Sequence, residues 1–302
     1  MAEDVKIRER LDDREIAAVL SVVDEATERD GVRPLNEHVM LHLRYGGDDR
    51  ARSLLLYDGD ALAGYAHVDP TDEVEGPSGE LVIRPRFRGQ GYGRRLLRAM
   101  LEETGGQLRL WAHGGLPGAQ ALATSMGLER VRSLWQMRRS LYAPLGAVEL
   151  PDGVRLRTFV PGQDEEAWLK VNAAAFAHHP EQGAWTLEDL ARREQEPWFD
   201  PAGFFLALRG DRLVGFHWTK IHGSTEHGHE PIGEVYVVGV DPSQQGTGLG
   251  KALTVAGLCH LRSRGLAQAM LYVDEANPSA IRLYTGLGFS RWDVDVMYST
   301  PR

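Results

Sequence analysis

The chain has a single cysteine, Cys259, among 302 residues. A lone thiol excludes an intramolecular disulfide and suits a reducing compartment. No apolar stretch approaches the roughly 20 residues needed to cross a bilayer, and the opening Met1-Ala2-Glu3-Asp4-Val5-Lys6 lacks the basic-then-apolar order of a secretion signal. Positive charge is also short: 34 Lys and Arg stand against 43 Asp and Glu, a formal net charge of −9. That balance argues against the basic face on which nucleic-acid binding depends. A cytoplasmic protein with neither a membrane nor a nucleic-acid partner is therefore expected. The remaining composition, 42% hydrophobic and 25% charged, is that of a globular chain, and its length predicts two domains of ordinary size.

What the chain does have is one glycine-rich pattern written twice. Arg88-Gly89-Gln90-Gly91-Tyr92-Gly93 follows the apolar run Leu81-Val82-Ile83, then Arg84-Pro85; Gln245-Gly246-Thr247-Gly248-Leu249-Gly250 follows Val237-Val238-Gly239-Val240, then Asp241-Pro242. Each copy reads as strand, Pro, glycine turn, helix. Such a turn lets backbone N–H groups approach an anion, and the helix N-terminus adds about half a positive charge. The repeat is wider than the turn. Gly59-Asp60 and Gly64 match Gly210-Asp211 and Gly215, Pro85 matches Pro242, and Met126-Gly127-Leu128 matches Leu287-Gly288-Phe289. An ordered series of this kind indicates duplication.

The periodicity predicts helices at Asp13–Arg29 and Asn36–Leu43, strands at Ser53–Tyr57, Leu62–Val68 and Leu81–Ile83, a helix ending near Glu103, and a strand at Gln107–Ala112. Residues 143–153, punctuated by Pro and Gly, read as a linker between a domain at 1–142 and another at 154–302. The second half predicts strands at Val154–Thr158, Phe204–Arg209, Leu213–Ile221, Gly233–Val240 and Ala269–Val273. Its helices are predicted at Asp164–Ala177, Leu187–Glu194, Gly250–Arg264 and Pro278–Leu287. The class is α/β, and the hairpins preceding each glycine turn exclude a Rossmann order.

Neither turn is a nucleotide-triphosphate loop: Gln245 stands where the first Gly belongs and Ala252 where the metal-binding hydroxyl belongs. Both have instead Arg or Gln, two residues, Gly, one residue, Gly. This resembles the acyl-CoA loop of the GCN5-related N-acetyltransferase (GNAT) family. The segment Asn277-Pro278-Ser279-Ala280 with Leu283-Tyr284-Thr285-Gly286-Leu287-Gly288-Phe289 resembles another signature of that family. The resemblance covers the chain as two tandem units, each implying a mixed, mostly antiparallel sheet flanked by helices. It implies acetyl-CoA as co-substrate and no metal.

The halves are not equivalent. Leu116 falls opposite Asn277, Ala123 opposite Tyr284, and Pro77 opposite Glu234, so the first half lacks the amide, the phenol and the carboxylate. Either a drifted copy kept only its core, or one unit is catalytic and the other binds or stabilises; the second is the expected catalytic unit. Amide formation from a thioester needs a base for the amine and gains from an acid at the thiolate. Glu234, expected on one strand face with Tyr236 and Val238, is the candidate base, or else pairs with a Lys or Arg. Tyr284 is the candidate acid, or else a core aromatic.

A closer resemblance, carried by Gly215–Lys220, Gly233–Pro242 and His179-Pro180-Glu181-Gln182-Gly183, is to a tandem branch of the family. That branch acetylates the cysteinyl amine of a cysteine–glucosamine–inositol conjugate; an antibiotic or polyamine acceptor is the alternative. The acceptor implied is a small molecule, and a monomer is expected. Glu37, Glu181, Lys220, Glu234 and Tyr272 would contact the acceptor. CoA contacts would come from Val238-Gly239-Val240, Gln245-Gly246-Thr247-Gly248-Leu249-Gly250-Lys251 and Asn277-Pro278-Ser279-Ala280-Ile281-Arg282. A second CoA would lie on Leu81-Val82-Ile83 and Gly89-Gln90-Gly91-Tyr92-Gly93-Arg94. His217, His222, His227 and His229 crowd one hairpin, but the intervening glycines read as a loop rather than a metal site. Cys259 and the tryptophans read as packing.

Overall fold

The computed structural model describes residues 5–46, 49–72, 75–177, 180–223 and 230–301, the side chains of Pro180 and Glu181 excepted. Its chain forms two compact units. The first takes the chain to Trp135 together with Asp274–Ala276 and the tail from Asp293; the second takes Gln136–Val273 and Asn277–Trp292. Residues 143–153 carry neither helix nor strand.

In chain order the first unit holds β1 (Val5–Arg8), α1 (Asp13–Asp30), α2 (Glu37–Tyr45), β2 (Arg52–Asp58), β3 (Ala61–Asp69), β4 (Ser78–Ile83), α3 (Tyr92–Glu103), β5 (Arg109–Ala112) and α4 (Pro117–Ser125). Strand β6 (Glu129–Ser140) begins here and ends in the second unit. The sheet order is β1-β2-β3-β4-β5, closed by the later part of the last strand, β12 (Ser290–Ser299). Pairing is antiparallel except between β4 and β5.

Helix α1 starts where Asp12 accepts from the N–H of Arg14 and Glu15 while Glu15 reaches back to the Asp12 N–H. That reciprocal box satisfies donors the helix itself leaves open. Val19, Val22, Val23 and Ala26 of α1 cover Leu55, Tyr65 and Val82 on one face of the sheet. Leu96, Leu97 and Met100 of α3 cover Leu54, Leu56 and Ala66 on the other.

The second unit holds β7 (Val154–Thr158), α5 (Glu165–Ala175), α6 (Pro180–Gly183), α7 (Leu187–Glu194), β8 (Phe204–Arg209), β9 (Arg212–His222), β10 (Ile232–Val240), α8 (Leu249–Ser263), β11 (Gln268–Asp274) and α9 (Pro278–Gly286). Its sheet order is β6-β11-β10-β9-β8-β7, antiparallel from β7 through β10 and parallel between β10 and β11. Both units are thus α/β, with mixed, mostly antiparallel sheets between helices.

The tryptophans Trp168, Trp185, Trp198 and Trp218 pack as expected. The Phe204 ring is stacked on Trp218 at 4.5 Å and on Phe159 at 4.4 Å, and Trp168 meets it edge-on. On the other side, α8 lies so close that a Cβ at Gly257 would stand 2.1 Å from the His217 ring. His217 is fully buried and its Nδ1 donates to the Leu253 carbonyl at 2.8 Å. Burial lowers its pKa to about 4, so the ring is a neutral anchor for the helix. Cys259 sits half-buried on α8.

Candidate active site

Glu234 lies at a discontinuity in the sheet. The ladder between β10 and β11 contains only Gly233–Ala269 and Glu234–Met270. Beyond Glu234, no further rung joins β10 to β11 among the described residues. One residue later a bulge interrupts pairing with β9: Val235 faces Thr219, Val237 faces Trp218, and Tyr236 is the extra residue. A bulge puts two consecutive side chains on one side and reverses the alternation after it. Tyr236 therefore shares the Glu234 face, packing on Trp198 and Trp218, and Val237 joins the same core. Val238 does not. It turns to the opposite face with Val240, against Leu249 and Leu253 of α8. The expectation that Glu234, Tyr236 and Val238 share a face is corrected at its third member. The bulge also changes the match between the halves: through the strand pairings, Ser78 rather than Pro77 stands opposite Glu234.

Glu234 is 7% exposed. Across the strand pair stand Lys220, opposite Glu234, and His222, opposite Ile232. His222 Nε2 is 2.5 Å from Glu234 Oε2. The carboxylate thus meets a histidine, with Lys220 on the neighbouring strand directly opposite it. Lys220 is buried, its Nζ 4.1 Å from the centre of the Trp198 ring and 4.9 Å from that of Tyr236. An ammonium over two aromatic faces is held by their quadrupoles. Tyr272 follows on β11, two residues beyond Met270, and its hydroxyl accepts from Gln136 Nε2 at 2.9 Å. Three of the expected acceptor contacts, Lys220, Glu234 and Tyr272, therefore lie on neighbouring strands of one unit. Glu37 opens α2 in the first unit. Glu181 lies in α6, and its side chain is outside the described set, as are His179, His227 and His229. Among the described residues no group of His, Cys, Asp or Glu is arranged to hold a metal.

At the far end of β10 the glycine turn enters α8. Gly248 occupies the N-cap at φ 88°, a left-handed conformation that glycine adopts without a Cβ clash. No side chain caps this helix, so its first N–H groups are left to a ligand or solvent. The first unit repeats the geometry: Gly91 is the N-cap of α3 at φ 86°, again without a side-chain cap. Both turns suit a pyrophosphate. They differ at the lead residue. Arg88 is committed to protein, its two Nη atoms each 2.7 Å from the Asp30 carboxylate and its Nε donating to the Ile83 carbonyl.

Asn277 caps α9, its Oδ1 accepting from the Ala280 N–H at 3.0 Å. Tyr284, on the same helix, is buried against Phe289. Burial pushes its phenol up to about 12, so it keeps its proton at neutral pH. The corresponding helix α4 begins at Leu116 without a side-chain cap and carries the buried Ala123, as the matched positions predict.

One constellation in the first unit has no counterpart in the sequence reading. Glu80 of β4, 1% exposed, lies 3.0 Å from His113 Nε2, and Asp295 of β12 lies 2.9 Å from His113 Nδ1. Asp295 also accepts from the Gly114 N–H, and Glu80 from the Asn36 N–H. Burial opposes charge on the ring, but the two carboxylates prevail and raise its pKa to about 10. His113 also lines a cavity of about 80 Å³ with Leu81, Trp111, Leu116, Leu122 and Tyr298.

The chain matches the acetyltransferase (GNAT) family over residues 20–128 and again over 168–289. It is 68% identical to a mycothiol acetyltransferase of Streptosporangium roseum, over 97% of this chain and 98% of that one, and 66% identical, at the same coverage, to one of Thermobispora bispora. Among solved structures it resembles a GCN5-related N-acetyltransferase of Sphaerobacter thermophilus, with TM-score 0.69, 27% identity, and 98% and 95% of the two chains covered. It shares the fold of a tandem GNAT protein from the clavulanic acid biosynthesis pathway, with TM-score 0.76, 18% identity and 98% of each chain covered. With the glycine turn, uncapped helix and interrupted parallel ladder present in both halves, the chain belongs to the GNAT acetyltransferase family as a tandem member.

Proposed function

We propose that the second unit transfers the acetyl group of acetyl-CoA to the cysteinyl amine of a cysteine–glucosamine–inositol conjugate, forming mycothiol. Membership of the family makes the chain an acetyl-CoA-dependent acyltransferase. The acceptor is inferred from its relatives and from the chemistry around Glu234. The observation that carries the reading is the position of that carboxylate: buried, and on the last rung before β10 and β11 part.

Acetyl-CoA supplies the thioester when bound. Residues 245–251, with the open N-terminus of α8, would hold its pyrophosphate, and the open edge of β10 at 238–240 its extended arm. Residues 277–282 would flank it. The first unit's turn would hold a second CoA through residues 81–83 and 89–94. Glu234 takes a proton from the acceptor ammonium, leaving an amine that attacks the thioester carbonyl. The Tyr284 phenol donates to the sulfur as the C–S bond breaks and is restored by the proton shed from the newly acylated nitrogen. Lys220 and Tyr272 offer an ammonium and a phenol to acceptor oxygens, with Glu181 as a further contact on the family resemblance.

The test is kcat/KM for the conjugate, free cysteine and spermidine, alongside Glu234→Gln. Each polar partner a smaller amine leaves unpaired in a buried site costs about 1–3 kcal/mol, so the conjugate should win by more than tenfold. Glu234→Gln should cut turnover about 10²–10⁴-fold with acetyl-CoA affinity preserved. Equal values for all three amines would leave only an acetyltransferase of broad acceptor range.

A further inference from the structure

We infer that His222 is a positioning and proton-relay residue, carrying to solvent the proton that Glu234 takes from the acceptor. This rests on the reading of Glu234 as the base. The stoichiometry requires such an exit. An ammonium and a thioester become an amide, a thiol and one free proton, so each turnover leaves one proton on the base. Glu234 is itself buried. Around it on the same sheet face stand Lys220, His222, Tyr236 and Tyr272. An ammonium has no lone pair with which to accept, and Lys220 is held over Trp198 and Tyr236. The Tyr272 hydroxyl accepts from Gln136, and the Tyr236 hydroxyl accepts from Arg193 Nε at 3.0 Å. Among the described residues, His222 joins contact with the carboxylate, at 2.5 Å, to a side chain about one-third open to water.

The step balances. The protonated carboxyl gives its proton to Nε2, and Glu234 returns to carboxylate. The imidazolium releases its Nδ1 proton to water, leaving Nε2–H, and exchange through water moves that proton to Nδ1 so that Nε2 can accept again in the next turnover. No oxidant, metal or further reactant is needed. A purely structural partner of Glu234 would require only hydrogen bonding, which glutamine and asparagine retain.

The experiment is steady-state kinetics of His222→Gln and His222→Asn in the full-length chain, with and without added imidazole, Glu234→Gln serving as the reference. Turnover should fall about 10²-fold in both His222 variants while KM for acetyl-CoA stays put, and imidazole should restore much of it, more so as its concentration rises. Wild-type turnover in either folded variant overturns the relay. So does a loss that imidazole does not relieve, which assigns His222 to packing alone. If Glu234→Gln itself turns over at the wild-type rate, the reading of Glu234 fails on its own account.

Discussion

At the scale of single residues, the sequence identified side chains more readily than their partners. Glu234 was named from the strand that leads to the glycine turn and Tyr284 from the Asn277–Phe289 segment, whereas Lys220 and Tyr272 were named only through the family resemblance. His222 was visible only as one of several histidines on a hairpin, since its contact with Glu234 depends on strand register. His113 was not visible at all: its carboxylate partners lie 33 residues before it and 182 after it. Two expectations follow. Tyr284→Phe should reduce turnover, by less than Glu234→Gln, because a thiolate is a tolerable leaving group without an acid. With the phenol raised to about 12, no alkaline limb from Tyr284 should appear in the kcat profile below about pH 11. For His113 the folded pKa is raised above the unfolded value of about 6.5. Its contribution to stability is therefore complete below about pH 6.5 and is lost as pH rises through about 10. Thermal melts should show the first unit weakening over that window. His113→Asn should flatten that dependence and cost about 3–5 kcal/mol, since two buried carboxylates lose their cation. A wild-type melt independent of pH across the window would contradict this.

At the scale of elements, hydrophobic period and turn chemistry placed most strands and helices within a residue or two. The failures have separate causes. β6 and β12 carry Arg, Asp and Ser at intervals, as in Glu129-Arg130-Val131-Arg132-Ser133 and Ser290-Arg291-Trp292-Asp293, so their apolar content is too thin to read as strand. α4 was passed over because Gly114-Gly115-Leu116-Pro117-Gly118 resembles a loop, although Pro117 sits at the favoured first helical position. The bulge at Tyr236 gave no signal, and it alone moved Val238 to the other face. The two glycine turns invite a direct contrast. A Cβ at Gly250 would meet only Val240, at 3.7 Å, so Gly250→Ala should fold normally. Any loss it causes then comes from the ligand that approaches the helix N-terminus. KM for acetyl-CoA should rise by roughly tenfold, about 1.4 kcal/mol. Gly93→Ala needs a small shift of Leu122, at 3.2 Å, and should leave turnover measurable. The opposite ranking, with both variants folded, would move catalysis to the first unit.

At the scale of the whole molecule, the duplication was readable from ordered landmarks, but the path of the chain was not. Repeats imply two consecutive blocks. The structure instead returns the tail from Asp293 to the first unit, where Val296 pairs with Ala112 and Met297 with Trp111. That strand brings Val296 and Tyr298 into the core over α3 and places Asp295 on His113. A strand's contribution to its sheet depends on pairing and burial, neither of which follows from its position along the sequence. A chain ending at Trp292 should therefore damage the first unit, although every residue removed lies in the second repeat. It loses the ladder beside β5, three buried apolar side chains and one of the two carboxylates that hold His113 charged. Amide hydrogen exchange should report the loss as faster exchange in β5 and α4, with β8 and β9 in the second unit least affected. Unchanged protection of β5 in the truncated chain would show that the first sheet is complete without its sixth strand.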